Sequence, residues 1–437
     1  MFSRILRFSA SRSSSRSLSR RSLSASRNFS ALAATNVNTN NNTKNSASVP
    51  LALGVVASLL LPATLLDAKC EPHEDAEKNE HAESFYIPPA DDSKLKIFTG
   101  NGNRNLANQI AMHLGVQLGR ATVKRFADGE VSVNVHDSVR GQDVYIVQPM
   151  AKPVNANLME LLLMITTLRR ASARRITAVI PYYGYSRSTS KFGEDSRTPI
   201  AAADVATLLQ VAGVDRVVAV DLHHAQIQGF FGPGCQVDNL DVSSIAIPYF
   251  ETKFLQNPVI ISPDANGAAR AKRFRDRLIK HDINASLGVI VDPSPKERGW
   301  QKEAKGGDDN NEFSNEEIDS MELVGDVEGC DCIIFDDMID SGGRIARASE
   351  KLKRSGAKRV FAFVTHGLFS GKALERLEKS PLVELVCVNS LPLPTAKIGG
   401  VETVAYSSKV YQLSVGALLA EAIRRIETKQ SVSALFR

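Results

Sequence analysis

Several features that would assign this chain to a familiar class are scarce or absent. Five cysteines in 437 residues are too few and too scattered for a disulfide framework, so reduced thiols are expected. The sequence also lacks a Gly-rich loop ending in Lys-Ser or Lys-Thr. An ordinary P-loop NTPase is therefore excluded, because such enzymes cradle phosphates in that loop.

Acidic residues are absent before Asp67, and this absence distorts the formal net charge of +5. Eight basic residues precede that position, namely Arg4, Arg7, Arg12, Arg16, Arg20, Arg21, Arg27 and Lys44. Without those eight, 45 Lys and Arg stand against 48 Asp and Glu, so the remainder carries a charge near −3. This balance excludes a globally basic nucleic-acid binder, and no nucleic-acid partner is expected.

The first 45 residues have the composition of an organellar transit peptide, rich in Arg and Ser and free of Asp and Glu. The tetrapeptide at 27–30, Arg-Asn-Phe-Ser, resembles a mitochondrial processing site. A mitochondrial location is therefore expected. A plastid address and a disordered basic tail that binds nucleic acid or lipid are the alternatives.

Residues 46–93 comprise an apolar segment followed by an acidic linker. Positions 49–66 hold 18 residues without a charge, just long enough to cross a bilayer core of roughly 30 Å as a helix. The segment is expected to be either a single anchor in the inner mitochondrial membrane or a sorting signal that is later removed. The prolines and acidic residues after it are typical of an exposed linker.

From Leu95 onward, short β-branched runs alternate with helical patterns. This alternation predicts an α/β fold with mainly parallel sheets. The predicted strands are 96–98, 144–147, 178–180, 217–220, 259–261, 332–335 and 360–364, and the clearest helices are 157–170 and 345–353.

The most informative segment is 332–344, in which an apolar strand is predicted to end at two carboxylates, Asp336 and Asp337. A small-residue turn then leads into a helix. Glycines let the backbone approach a ligand closely, and a helix N-terminus offers unpaired N–H groups, so a phosphate fits there. The two carboxylates would then face sugar hydroxyls or a hydrated metal ion. The alternative is an acidic strand end followed by a capped helix.

This segment resembles the ribose-phosphate loop of type I phosphoribosyltransferase-like folds. In its form Asp-Asp-Met-Ile-Asp it is most similar to the ribose-phosphate pyrophosphokinases. Further family-like segments stand in order at 138–148, 157–162, 221–223, 226–231, 262–265, 365–370 and 420–425. The resemblance covers nearly all of 95–437. It implies two type I phosphoribosyltransferase-like domains, 94–240 and 241–437, with the active site between them.

The resemblance also implies an activity and a set of site residues. The enzymes of this family transfer the β,γ-diphosphate of ATP to the 1-hydroxyl of ribose 5-phosphate, releasing AMP, and they use Mg²⁺. The implied catalytic residues are Lys296 and Arg298, in a polar stretch that matches the family's flexible loop. The implied ligands are Phe126, Asp128, Glu130, Arg187 and Arg197 for ATP, Asp336, Asp337, Asp340, Ser341, Gly342, Gly343 and Arg344 for ribose 5-phosphate, and His223 and Asp264 for the metal. Homo-oligomers, dimers assembling to a hexamer, are implied as well.

The sequence departs from the family pattern at a few positions. Arg344 stands where the family usually has Thr, Asn266 where Gly is usual, and Ala269 where Lys is usual. We expect the Arg344 side chain to point to solvent, because a long Arg at a helix start usually prefers water to confinement. Two alternatives remain open. One is a non-catalytic regulatory partner of active subunits, and the other is a phosphoribosyltransferase that consumes the product.

Overall fold

The chain is described by a computed structural model that covers residues 95–189, 197–292, 315–398, 401–404 and 407–436. The targeting, apolar and linker segments, together with Lys296 and Arg298, lie outside these described residues. Within the described ranges no helix is both long enough and apolar enough to cross a bilayer.

Strands and helices alternate along most of the described chain. The strands are β1 (Leu95–Thr99), β2 (Ala121–Arg125), β3 (Val131–Val135), β4 (Asp143–Val147), β5 (Arg175–Ile180), β6 (Arg216–Val220), β7 (Gln236–Leu240), β8 (Val259–Ser262), β9 (Ser286–Val291), β10 (Glu322–Val324), β11 (Asp331–Ile339), β12 (Arg359–Gly367), β13 (Glu384–Val388), β14 (Thr395–Ile398), β15 (Val401–Val404) and β16 (Val410–Leu413). The α-helices are α1 (Arg104–Leu114), α2 (Val154–Arg170), α3 (Ala201–Ala212), α4 (Ser243–Glu251), α5 (Ala268–Lys280), α6 (Asn315–Asp319), α7 (Gly343–Arg354), α8 (Ala373–Lys379) and α9 (Gly416–Glu427).

The first sheet has five parallel strands in the order β1-β4-β5-β6-β7. Every residue of β4 is buried. Such continuous apolar runs arise because helices cover both faces of a parallel sheet. A separate antiparallel hairpin, β2 with β3, lies between β1 and β4 in the sequence.

The second sheet has seven strands in the order β10-β9-β8-β11-β12-β13-β16, parallel except for the edge pair β10 and β9. After β8 the chain runs outward through β9 and β10, and then returns to β11 on the other side of β8. The connections leaving β8 and β11 therefore depart in opposite directions. A crevice opens at such a switch point, beyond the carboxyl ends of the strands, and open α/β sheets bind ligands there.

One apolar core joins the two sheets. It includes Ile97 and Val147 of the first sheet, Ile260 and Phe335 of the second, and residues of α1, α4, α5 and α9. The last helix, α9, packs against α1 near the start of the described chain. Near its end, the Tyr145 hydroxyl of β4 donates a hydrogen bond to Glu427 over 2.8 Å. The C-terminal helix thus returns to the first sheet.

The mainly parallel α/β fold predicted from the sequence is confirmed. Each predicted strand overlaps an observed one, and the helix predicted at 345–353 lies within α7. The largest difference concerns β11, which was expected to end at Phe335 but continues to Ile339. It continues because β12 pairs with it as far as Ile339 and Gly367.

A buried carboxylate anchors the start of β4. Asp143 is buried and forms ion pairs with Arg174 and Arg175, both at 2.6 Å. Burial alone would raise the pKa of this carboxyl, but hydrogen bonds from the two arginines lower it to about 2. Because the folded-state pKa is depressed, the pair stabilises the fold at neutral pH, and this contribution is lost as the pH falls from about 4 to about 2.

We expect Asp143→Asn to lower the free energy of unfolding at pH 7 by about 1–3 kcal/mol, because two arginines lose their charged acceptor. At pH 2, where the folded-state carboxyl is about half protonated, most of the difference from wild type should be lost. Chemical denaturation followed by circular dichroism at both pH values measures this. The control is Asp137→Asn, which removes a pair with the exposed Arg120 and should cost about 0–1 kcal/mol. Equal losses for both variants would contradict the assignment.

Candidate active site

The predicted ribose-phosphate segment lies at the switch point of the second sheet. Strand β11 pairs with β8 only from Cys332 to Ile334. It then continues past the end of β8, so its last residues border the crevice. Phe335 is held at this point by stacking on Phe274 of α5 and Phe363 of β12, with ring centroids 4.1 and 5.3 Å apart.

The two carboxylates that follow Phe335 are almost sealed from water. Asp336 and Asp337 are 3% and 1% exposed. They lie within β11 rather than after its end. Burial of a carboxylate without a partner is costly, so charged neighbours are required.

Arg270 in the first turn of α5 supplies one such charge. Its Nη1 lies 3.1 Å from Asp337 Oδ1 and 3.4 Å from Asp336 Oδ1, and its Nη2 donates to the carbonyl of His223 over 3.0 Å. The side chain therefore joins both carboxylates to the loop after β6. Arg270 is not among the site residues predicted from the sequence. The signal was present, because two carboxylates at the end of an apolar strand require a buried countercharge.

His223 follows β6 and comes from the first sheet. Its Nδ1 lies 2.5 Å from Asp337 Oδ2. Burial would raise the pKa of Asp337, but the hydrogen bond from His223 and the charge of Arg270 hold it well below its ordinary value. Asp337 thus orients the His223 ring and leaves Nε2 for a ligand, the arrangement common to metal-binding histidines.

The Arg344 side chain was expected to point to solvent, and the structure differs. Its side chain is 42% exposed, but its guanidinium pairs with two carboxylates, lying 2.6 Å from Asp264 Oδ2 and 2.9 Å from Asp336 Oδ2. The second contact is an ion pair without hydrogen-bond alignment, and Asp336 Oδ2 accepts no hydrogen bond in the described residues. Burial raises the pKa of Asp336, the charge of Arg344 opposes this rise, and the neighbouring Asp337 adds to it. A buried acid in this position attracts the nearby arginine more strongly than water does.

The turn after β11 connects the site to the first sheet again. Arg187 Nη1 donates to Asp340 Oδ2 over 2.8 Å, so one predicted ATP residue touches one predicted ribose-phosphate residue. Burial would raise the pKa of Asp340, but the Ser370 hydroxyl and Arg187 lower it below its ordinary value. Asp340 is therefore ionised at neutral pH.

Glycine is required where this turn enters α7. Gly342 has φ +78°, and a Cβ there would approach the Ala373 carbonyl to 3.2 Å. Gly343 is the first residue of α7, and Arg376 donates to the carbonyl of Ser341 over 2.9 Å. The turn is thus held in place, and the N-terminus of a 12-residue helix follows it directly. Such a terminus favours an anion.

Comparison with known proteins identifies the family. Residues 95–213 match the model described as the N-terminal domain of ribose phosphate pyrophosphokinase, and residues 255–437 match the phosphoribosyl synthetase-associated domain. A ribose-phosphate pyrophosphokinase from Oceanobacillus iheyensis is 44% identical over 345 residues, 79% of this chain and 98% of that protein. The chain belongs to the ribose-phosphate pyrophosphokinase family.

Other relatives agree with this assignment. The ribose-phosphate pyrophosphokinase of Vibrio vulnificus is 44% identical over 342 residues, which cover 78% of this chain and 99% of that protein. The crystal structure of phosphoribosylpyrophosphate synthetase from Mycobacterium smegmatis superposes with a TM-score of 0.65 at 36% identity. It covers 77% of this chain and 99% of that one.

The segment with three of the predicted ATP ligands, Phe126, Asp128 and Glu130, forms the turn between β2 and β3. Phe126 is 59% exposed, and its carbonyl accepts a hydrogen bond from Gly129 N. Asp128 Oδ1 accepts from Glu130 N over 3.0 Å, so this carboxylate shapes the turn. Within the described ranges the structure gives this turn no hydrogen bond or ion pair to Asp264, Asp336 or Asp337.

The remaining predicted site residues are Arg197, Lys296 and Arg298. Arg197 is exposed at the start of a described range, just before α3. Lys296 and Arg298 lie outside the described residues, so their catalytic role stays a prediction.

The predicted metal ligands, His223 and Asp264, are too few to form a complete metal site by themselves. In the described part of the chain no group of three or more His, Cys, Asp or Glu side chains is arranged to hold a metal ion. Mg²⁺, however, is usually held by one or two carboxylates together with water and substrate phosphates. Asp264, with the His223 ring oriented by Asp337, matches that pattern of few protein donors.

We expect Arg270→Met to lower the free energy of unfolding by about 3–5 kcal/mol, because it leaves two buried carboxylates without their shared countercharge. Arg270→Lys should lose less, since a charge remains. Denaturation midpoints at pH 7 measure both. Arg273→Met on the exposed side of the same helix is the control and should change stability by no more than about 0.5 kcal/mol. If Arg270→Met matched that control, Arg270 would not be the required countercharge.

Proposed function

We propose that this chain is a working ribose-phosphate diphosphokinase, which transfers the β,γ-diphosphate of ATP to ribose 5-phosphate. One observation carries the proposal. At the switch point, buried carboxylates of β11 stand beside the N-terminus of α7, in a chain that belongs to the ribose-phosphate pyrophosphokinase family. A sugar phosphate needs both features, namely acceptors for its hydroxyls and a positive site for its phosphate.

Ribose 5-phosphate binds with its phosphate at the turn formed by Ser341, Gly342 and Gly343. The N–H groups at the start of α7 donate to the phosphate, and the helix dipole favours its charge. Asp340 and the carboxylates of β11 accept from the ribose hydroxyls. Arg187, which is paired with Asp340, binds the polyphosphate of ATP in this proposal and so brings the two substrates together.

The reaction forms a bond between the ribose 1-oxygen and the β-phosphorus of ATP. The bond from that phosphorus to the α,β-bridging oxygen breaks, AMP leaves, and the hydroxyl proton is released to solvent. A bound Mg²⁺ supplies charge neutralisation and orientation of the polyphosphate, with His223 and Asp264 as its protein ligands. Lys296 and Arg298 stabilise the charge on the transferred group, as cations do in phosphoryl transfer.

One alternative function has an observation in its favour. In a non-catalytic regulatory subunit, Arg344 would block the site, and its pairs with Asp264 and Asp336 are the kind of contact that such a role needs. The relatives named as pyrophosphokinases over nearly their full length favour the catalytic function.

The proposal extends to architecture and assembly. We assign 94–240 and 241–437 as two phosphoribosyltransferase-like domains, since the first sheet ends with β7 at Leu240 and the second begins with β8. The active site then lies between the domains, where His223 meets Asp337. Homo-oligomers, dimers building to a hexamer, complete the proposal by analogy with the family.

The purified chain, incubated with ATP and ribose 5-phosphate, should release AMP and form 5-phosphoribosyl 1-diphosphate. Lys296→Ala and Arg298→Ala should each lower kcat on the order of 10²-fold with little change in the KM for ribose 5-phosphate, because these cations act mainly in the transition state. Lys272→Ala on the exposed face of α5 is the control and should keep wild-type kcat. The absence of AMP release by the wild type would favour the regulatory function.

The location of the enzyme is a further part of the proposal. Residues 1–45 act as a mitochondrial transit peptide because their basic, Ser-rich and acid-free composition suits import. Residues 49–66 then serve as an inner-membrane anchor or as a removed sorting signal, because 18 uncharged residues suffice for one span.

We expect a fusion of residues 1–93 to a fluorescent protein to enter mitochondria. Replacing Arg4, Arg7 and Arg12 with Gln should strongly reduce import, because three of the positive charges that import requires are lost. A fusion of residues 94–437 is the control and should remain outside. Alkaline carbonate extraction then separates an anchored product from a released one. Delivery to plastids or diffuse fluorescence of the first fusion would contradict the mitochondrial assignment.

A further inference from the structure

Arg344 bridges the two strands that flank the switch point. It begins in the first turn of α7 and reaches Asp264, after β8, and Asp336, within β11. We call Asp264, Asp336 and Asp337 the carboxylate cluster. Arg270 of α5 lies beside Asp336 and Asp337. Arg344 is a second cation in the cluster, and it is the one that contacts Asp264.

Both oxygens of Asp264 are engaged by the protein. Oδ1 accepts a hydrogen bond from the backbone N–H of Gly267 over 2.8 Å, and Oδ2 accepts from Arg344 Nη1 over 2.6 Å. A metal ion that uses this carboxylate must bind beside the guanidinium or displace it. Two cations on one carboxylate repel each other, so the two modes of occupation oppose one another.

The two arginines of the cluster differ in how firmly they are held. The Arg270 side chain is 14% exposed and contacts Asp336, Asp337 and the His223 carbonyl. The Arg344 side chain is 42% exposed, and its contact with Asp336 lacks hydrogen-bond alignment. Arg344 is thus the more exposed of the two cations, and solvent can receive its charged group when a metal ion takes Asp264.

We propose that Arg344 is a resident cation of the carboxylate cluster that competes with the divalent metal for Asp264. The proposal rests on the metal site in the proposed function, and it deepens that function by assigning a regulatory role to the one residue of the ribose-phosphate loop that departs most from the family pattern. This chain then needs a higher concentration of free metal to fill its site than it would with a neutral residue at 344.

Metal binding without substrates tests this directly. Mn²⁺ is titrated into the full chain, and the free ion is measured by electron paramagnetic resonance. Arg344→Thr should tighten Mn²⁺ binding about 5-fold or more, as typical couplings between linked sites do. Arg344→Lys keeps the charge and should tighten it less. Circular dichroism confirms that each variant is folded.

Two control variants show whether the change in Mn²⁺ affinity arises at Asp264. Arg347→Thr removes the same charge one turn further along α7, where the side chain pairs with Asp292, and should leave Mn²⁺ affinity unchanged. Adding Asp264→Asn to Arg344→Thr should abolish the gain, since the site released by Arg344 is Asp264. An equal gain in Arg347→Thr would overturn the proposal, because it would reveal a general effect of charge. An unchanged or weaker affinity in Arg344→Thr would overturn it as well.

The competition between Arg344 and the metal can be tested independently of the catalytic function. Tighter Mn²⁺ binding in Arg344→Thr, with no AMP release by the wild type, would support the competition and reject the catalytic function. Unaltered Mn²⁺ binding in Arg344→Thr, with normal AMP release by the wild type, would reject the competition and support the function.

Discussion

The arrangement of the site depends on the burial of two adjacent carboxylates in β11. Charges this deep are tolerated only with close countercharges, and Arg270 fulfils this requirement. To reach both acids it must extend from the first turn of α5, and it also holds the loop that carries His223. Arg270 therefore holds three elements together, namely α5, the end of β11 and the loop after β6. The first and second sheets come together at this residue.

Positive and negative groups lie side by side at this edge of the second sheet. The N-terminus of α7 offers positive backbone groups to an anion, while Asp264, Asp336 and Asp337 offer negative charge a few residues away. A sugar phosphate presents both kinds of group. The connections from β8 and β11 diverge, so the crevice stays open between these two charged regions.

Much of this architecture follows from local sequence, and some of it does not. Strand β4 is readable because it is a short, nearly continuous apolar run, and helix α7 is readable because its apolar residues recur with the helical period. The strand order β9-β8-β11 is not, because it arises from contacts between residues far apart in the chain. The end of β11 was misjudged because Asp336 and Asp337 argue against a strand, yet pairing with β12 overrides that preference. The position of Arg344 was predicted wrongly because it is set by Asp264, which is 80 residues away in the sequence but 2.6 Å away in the fold.

The return of α9 to α1 has a consequence for the order in which the protein is completed. Chains are made from the N-terminus, and domains generally fold in that order. Here the apolar side of α1 is covered by a helix that begins only at Gly416. The first sheet, although made first, keeps an uncovered apolar surface until α9 has been synthesised. The part of the protein that is synthesised first therefore cannot complete its fold until α9 is available. During that interval its uncovered apolar surface favours aggregation.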